Sequence, residues 1–118
     1  DRELLILRIG FLCQAGYEWG QHVLIARRCD MSDEEIRSAQ TGPQTEGLSA
    51  KDKVLLQAVD ELHKDAHVSN KTWKGLSNYF DTQQLMDIVF TVGQYNLVSM
   101  ALNSFGVQLD EGLPGWDI

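Results

Sequence analysis

Two stretches of this 118-residue chain are apolar around almost their whole circumference when read as helices. In the first, Leu4, Leu5, Ile6, Leu7, Ile9, Phe11, Leu12 and Cys13 leave hardly a polar side. In the second, Leu85, Met86, Ile88, Val89, Phe90, Val92, Leu97, Val98, Met100 and Leu102 do the same. A helix apolar on every side has to be covered on every side. A chain of this length fits one domain, and small domains hide only about 60–70% of their unfolded surface. Two such helices therefore predict a homo-oligomer, with the first and last helices at or near the subunit contacts.

The remaining residues supply more helices. Asp1 is placed to cap the first one, which runs to roughly Gln14. The Ala15-Gly16 pair breaks it, and a second helix begins near Tyr17 and ends at the cations Arg27 and Arg28, which suit a C-terminal end. Ser32 with Glu35 forms a capping box that opens a short helix to about Gln40. Residues 41–47 are the clear loop. Ser49 caps a helix whose Val54, Leu55, Ala58, Val59, Leu62 and Ala66 recur at three- and four-residue spacing, with Asp60 and Lys64 as a surface pair. Ser69 opens a short helix carrying Trp73 and Leu76 inward, and Asp81 caps the longest helix, Thr82 to about Phe105, closed by Gly106. There is no β pattern and no repeat. The expected fold is all-α, one domain over residues 1–118, with 107–118 an extended tail whose Leu109, Leu113, Trp116 and Ile118 lie across a neighbouring subunit. A helical pattern that begins at once after Asp1 reads as a chain whose upstream part is missing.

A formal net charge of −7 argues against nucleic acid or an anionic membrane as partner, since both need a basic face. No uninterrupted apolar run approaches the ~20 residues that span a bilayer, and no signal-peptide pattern opens the chain. Cys13 and Cys29 make no disulfide framework, so a reducing, cytoplasmic setting is expected.

The chemistry concentrates at Tyr17-Glu18-Trp19-Gly20-Gln21-His22. Residues four apart on a helix share a face, so Glu18 and His22 are expected to touch. A carboxylate against an imidazole fixes which ring nitrogen carries the proton, as general acid/base chemistry requires. The plain alternative is an exposed helical ion pair worth only ~0.3–0.5 kcal/mol. Tyr17 and Trp19 beside the pair point to a partly dry pocket. In the last helix, Asp87, Thr91 and Gln94 form one polar stripe and Asn96, Ser99 and Asn103 another. Buried polar side chains need partners, either a neighbouring helix or a pocket facing Glu18 and His22, to whose wall Tyr95 would also belong. Other groupings carry weaker signals. Cys13 and Cys29 are sixteen apart and form no Cys-x-x-Cys. His63, His67 and Asp60 have the spacing of a helical metal set, but zinc motifs, phosphate-binding glycine loops and Gly-x-Ser-x-Gly elbows are absent.

Arg2-Glu3-Leu4-Leu5-Ile6-Leu7-Arg8, then Tyr17-Glu18-Trp19-x-x-His22 followed by Ala26, resembles the carboxymuconolactone decarboxylase family, which includes alkylhydroperoxidase-D-like proteins. The resemblance extends through Leu48-Ser49 and Asp60-Glu61-Leu62-His63 to Gly106. It implies an alkylhydroperoxidase-D-like helical bundle, assembled as a trimer or hexamer. The peroxidase branch carries a glutamate, eleven residues, then Cys-x-x-Cys-x-x-x-His. Aligned on His22, its glutamate falls on Glu3 and its two cysteines on Ala15 and Glu18, so both redox thiols are missing. A disulfide-cycling peroxidase needs thiolates for attack and for resolution. The decarboxylase branch implies acid/base chemistry on a small carboxylated lactone, without metal or organic cofactor. Glu3 and Glu18 would repel an anion, and the nearby cations are Arg2, Arg8 or an arginine of a neighbouring subunit, so a neutral substrate fits the two carboxylates better. The reading that follows is an acid/base enzyme acting on a small lactone or enolisable acid by decarboxylation, isomerisation or lactone chemistry. His22 is its proton shuttle, Glu18 its orienting partner or partner base and Glu3 the third member, with Tyr17, Trp19, Gln94 and Tyr95 binding substrate. A thiol-dependent alkylhydroperoxidase using Cys13 or Cys29, and a non-catalytic oligomeric binding protein, stand as alternatives.

Overall fold

Ile6, Leu7 and Ile9 are wholly inaccessible, because the helix that carries them runs through the middle of the molecule. The computed structural model describes residues 1–118 as six helices and no strand: α1 (Arg2–Leu12), α2 (Gly16–Arg28), α3 (Asp33–Thr41), α4 (Ala50–Asp65), α5 (Asn70–Ser77) and α6 (Thr82–Phe105). Helix α1 packs against α2, α3, α4 and α6. Its all-round apolarity is thus satisfied within one chain, and no neighbouring subunit is needed to cover it. Helix α6 differs. Leu85, Ile88 and Val92 enter the core, whereas Met86, Phe90, Leu97 and Met100 are more than half exposed.

Local signals set most helix ends. Ser32 and Glu35, and Asp81 and Gln84, form complete capping boxes. Ser49 and Ser69 accept from the backbone N–H groups of Asp52 and Thr72. Gly106 closes α6 with a φ of 69°. Two expectations are corrected. Asp1 makes no capping bond and instead pairs with Lys51 at 3.1 Å. Ala66 is no core residue; it ends α4 in the left-handed conformation.

A buried arginine joins three segments. Arg8 holds Asp60 with both arms, at 2.7 and 3.0 Å, and donates to the carbonyls of Ala39 and Gln40 at the end of α3. Unpaired carbonyls at a helix C-terminus favour a cation. Asp60 is therefore an interior partner of Arg8 rather than a surface partner of Lys64, and Arg8 is no cation for a substrate. Gly42 turns beside it at φ 100°, where a Cβ would lie 2.8 Å from Arg8 Nη2.

The tail folds back over its own chain. Trp116 sits 5.3 Å from Trp19 and 5.5 Å from Phe11, centroid to centroid. Gly115 O accepts from Trp19 Nε1 at 3.0 Å and Trp116 O from Gln40 Nε2 at 2.7 Å. Gly20 makes the approach possible: a Cβ there would stand 2.7 Å from both Leu109 Cδ2 and the carbonyl of Pro114.

One carboxylate between α4 and α5 makes stability pH-dependent. Burial pushes Glu61 up, but hydrogen bonds from Thr72 Oγ1, Ser69 N–H and Gln57 Nε2 outweigh it and hold the carboxyl at about 2. The folded value lies below the ordinary 4.5. Its contribution is therefore complete above the ordinary value and is lost as pH falls towards 2. Urea midpoints measured down this range should fall for the wild type and fall less for Thr72→Val, which has less to lose. Parallel curves for the two proteins would contradict the assignment.

Helix α6 has 24 residues and, by length and composition, is long and apolar enough to cross a bilayer, a property that inspection for uninterrupted apolar runs misses. Its inward polar side chains are nevertheless bonded within the chain, as the next section describes.

Candidate functional site

Three helices bring the acid/base residues together. Glu3 stands in the first turn of α1, Glu18 and His22 lie one turn apart on α2, and Tyr95 and Ser99 lie one turn apart on α6. His22 Nδ1 is 2.7 Å from Glu3 Oε1. An ionised carboxylate can only accept, so Nδ1 donates and the neutral ring keeps Nε2 free of hydrogen. The other Glu3 oxygen receives Arg2 Nη1 at 3.3 Å. Tyr95 stands edge-on to the imidazole, with centroids 5.3 Å apart and planes at 83°. Arg2 closes the outer side. Its Nη2 donates to Tyr95 Oη at 2.9 Å, and its guanidinium carbon lies 5.5 Å from the ring centroid. The side chains of Glu3 and His22 are only 9% and 13% exposed, against 63% for Arg2.

The carboxylate that orients His22 is therefore Glu3, and the expected Glu18–His22 hydrogen bond gives way to a different arrangement. Glu18 Oε2 accepts from Ser99 Oγ at 2.7 Å, drawn towards α6 from the first turn of α2. Burial pushes the Glu18 carboxyl above its ordinary value. The Ser99 hydrogen bond and the nearby His22 oppose the rise, and Glu3 adds to it. Helical spacing puts Glu18 and His22 within electrostatic reach of each other, while α1, crossing α2, delivers the hydrogen-bond partner.

The other expected residues divide. Tyr95 belongs to the site. Trp19 is wholly buried and bonded to the tail, so it can touch no substrate. Tyr17 accepts from Gln21 and lines a recess of about 310 Å³ with Gln14, Leu102, Asn103 and Val107, away from His22. Gln94 is exposed on the outer side of α6, because one residue further along a helix turns the side chain by about 100°. Of the two polar stripes, that of Asn96, Ser99 and Asn103 is bonded within the chain, with Ser99 buried, Asn96 half-buried and the exposed Asn103 donating through Nδ2 to the carbonyl of Cys13 at 2.8 Å. Asp87 and Thr91 line a recess of about 240 Å³ whose wall includes Arg2, Leu5, Phe80 and Gln84. His63 and His67 are exposed and Asp60 is held by Arg8, so that set does not assemble. Sequence reading underrated Arg2, whose one visible signal is its position beside Glu3.

Cys13 lies in the same neighbourhood. Its thiol donates to Asn96 Oδ1 at 3.1 Å and is 4.0 Å from His63 Nδ1. Burial pushes the thiol up, the negative charge of Glu18 adds to this, and Ser99 partly offsets it. Cys29 is exposed at the far end of α2, and a 13-residue helix separates the two sulfurs by about 20 Å of helix length. The thiolate is the reactive form. Iodoacetamide at neutral pH should modify Cys29 readily and Cys13 much more slowly, with the Cys13 rate rising only well into alkaline solution. Peptide mass spectrometry reads both rates, and faster modification of Cys13 would contradict this environment.

No protein-family model matches the chain, and no curated protein does. A solved structure does match: a crystal structure of a protein of unknown function from Agrobacterium tumefaciens, proposed there to be an antioxidant defence protein AhpD. It superposes with a TM-score of 0.86 at 19% sequence identity, covering 92% of this chain and 76% of the other. The all-α architecture described above is the AhpD-like helical fold.

Proposed function

We propose that this protein is an acid/base enzyme that moves a proton on a small lactone or enolisable carboxylic acid, within the chemistry implied by the resemblance to the carboxymuconolactone decarboxylase family. The observation that carries the reading is the 2.7 Å bond from His22 Nδ1 to Glu3 in a largely buried setting. With Nδ1–H committed to Glu3, Nε2 is the base. It takes a proton from the carbon next to a carbonyl, and the carboxylate of Glu3 stabilises the imidazolium that forms. The electron pair of the broken C–H bond passes into the carbonyl as an enolate. Returning the proton to another carbon of the conjugated system completes an isomerisation. In a decarboxylation, loss of carbon dioxide generates the enolate, and the imidazolium delivers the proton. Glu18, with its carboxyl raised, offers a second proton site on the same side of α2. Arg2 offsets the charge of Glu3 and is the one cation positioned to meet a substrate carboxylate or enolate oxygen. Neither a metal nor an organic cofactor enters these steps, and both cysteines stay reduced, which suits a cytoplasmic setting.

The thiol-peroxidase alternative draws less support, since burial pushes the Cys13 thiol up, away from the reactive thiolate, and Cys13 lies far from Cys29. One observation supports the non-catalytic alternative, that the recess beside Arg2 is not lined by His22, while the burial of Glu18 and His22 speaks against it. Deuterium exchange separates them. The wild-type protein is incubated in heavy water with a panel of butenolides, carboxylated lactones and β,γ-unsaturated acids, and proton NMR follows the carbon-bound hydrogens. Exchange faster than buffer for at least one compound is expected; none across the panel contradicts the enzyme reading.

A further inference from the structure

Arg2 is the one residue that belongs both to the hydrogen-bonded cluster around His22 and to the wall of the recess between α1 and α6. That recess, of about 240 Å³, has apolar walls of Leu5, Phe80 and Ile88, with Asp87 and Thr91 beside them on α6. Thr91 precedes Tyr95 by four residues, so the two share a face of α6 and lie about 6 Å apart along its axis. Tyr95 in turn stands edge-on to His22. Recess and imidazole are therefore neighbours along one groove, divided where Arg2 reaches across from α1 to the Tyr95 hydroxyl at 2.9 Å. The divider is loosely held. Its bond to Glu3 is a single one of 3.3 Å, against roughly 2.7–2.9 Å for a close charged pair. Its side chain is also 63% exposed, and ion pairs so open to water contribute little. A guanidinium binds a carboxylate best through two parallel bonds, which neither Glu3 nor Tyr95 provides. The Glu3–His22 bond involves neither Arg2 nor Tyr95, so it survives if Arg2 leaves.

We propose that Arg2 is a gate worked by the substrate, a monocarboxylate whose short apolar tail lies in the recess. Its carboxylate draws the guanidinium from Glu3 and Tyr95, and the way from the recess to His22 opens. This rests on the acid/base reading of His22 and adds to it the class of acid that the site selects. Volume limits the tail. The recess holds about eight waters' worth of space, enough for a chain of about five carbons. Charge limits the acid to one carboxylate. Asp87 lines the recess and pairs with no cation, and Glu3 and Glu18 lie beyond the gate, so a second carboxylate on the tail meets negative charge. A neutral lactone has no charge with which to move Arg2, so it is handled less well than an acid of the same size.

Hexanoate, a saturated acid with no double bond to move, is the probe. Bound at millimolar concentration, about what so small a ligand allows, it should shift the methyl resonances of Leu5, Ile88 and Thr91. Through Arg2 it should also shift the ring resonances of Tyr95, which does not line the recess. Hexanol, which lacks the charge, and adipate, which carries a second, should each bind about ten-fold more weakly, the worth of one charge-assisted hydrogen bond. Arg2→Ala should lose a similar factor together with the Tyr95 shifts, and Arg2→Lys, which keeps the charge, should recover most of the affinity. Diethyl pyrocarbonate, which acylates a bare imidazole nitrogen, reads the gate itself. Relative to the exposed His63 and His67, His22 should react slowly in the wild type and several-fold faster in Arg2→Ala. Absence of hexanoate binding, methyl shifts without movement of Tyr95, equal binding of either comparison compound, or an unchanged His22 rate in Arg2→Ala overturns the proposal. None of these readouts depends on turnover. If they hold while the deuterium panel shows no exchange, the acid/base reading fails and the gate stands; exchange without them keeps the base and removes the gate.

Discussion

Replacing His22 with glutamine is expected to slow turnover by about 10²–10⁴-fold, the range that a positioned general base contributes, while leaving the thermal midpoint nearly unchanged. Glutamine keeps much of the size of the ring and can still donate a hydrogen bond to Glu3, so the contact between α1 and α2 survives. What it lacks is a nitrogen that takes up a proton. The readout is the exchange rate of a compound that the wild-type protein labels. Glu3→Gln should cost less than His22→Gln, because the ring remains and loses only the charge that stabilises its protonated form. A His22→Gln protein that exchanges within a few-fold of wild type would place the base elsewhere, with Glu18 the next group to remove.

The largest structural effect is expected from Trp19→Ala, at about 3–5 kcal/mol, the usual cost of emptying a buried aromatic site. Trp19 is 0% exposed and contacts both Phe11 and Trp116, so the cavity is walled by side chains already engaged elsewhere. Set against a total stability of ~5–15 kcal/mol for a typical domain, the loss is severe. It also removes the donor to Gly115 O, so the tail beyond residue 107 should become open to proteases before the helices do. Gly20→Ala separates the two effects. It leaves the aromatic site filled but pushes against Leu109 and Pro114, so it should free the tail with a smaller fall in the urea midpoint. A protected tail in Trp19→Ala would mean that Trp116 and Ile118 hold it without the indole.

Helices were legible in the sequence because each is signalled at its ends by residues close in the chain. Ser32, Ser49, Ser69 and Asp81 act on backbone three positions away, and Gly106 acts on its own turn. Partners across the fold were not legible, since periodicity says which face is apolar and not what meets it. Asp60 thus read as a neighbour of Lys64 when it belongs to Arg8, fifty-two positions away. The all-round apolarity of α1 and α6 looked like one problem and has two answers. Four helices of the same chain surround α1, while one face of α6 stays uncovered. At the site, helical spacing placed Glu18 beside His22, but the bond was decided by where α1 crosses α2. Glu3 entered the reading through the family pattern and not through any local rule, and Ser99 through its stripe. Arg2, whose reach to Tyr95 spans ninety-three positions, had only its adjacency to Glu3 to mark it.

The central claim is that Glu3 holds His22 with Nδ1 protonated and Nε2 bare, and nitrogen NMR of the imidazole tests it without any substrate. In protein labelled with ¹⁵N at histidine, assigned against His22→Gln, the neutral ring should show its proton on Nδ1. That proton should be shifted downfield and exchange slowly with water, and Glu3→Ala should abolish both properties. A neutral ring protonated on Nε2, or an Nδ1 proton in fast exchange with solvent in the wild type, would contradict the account.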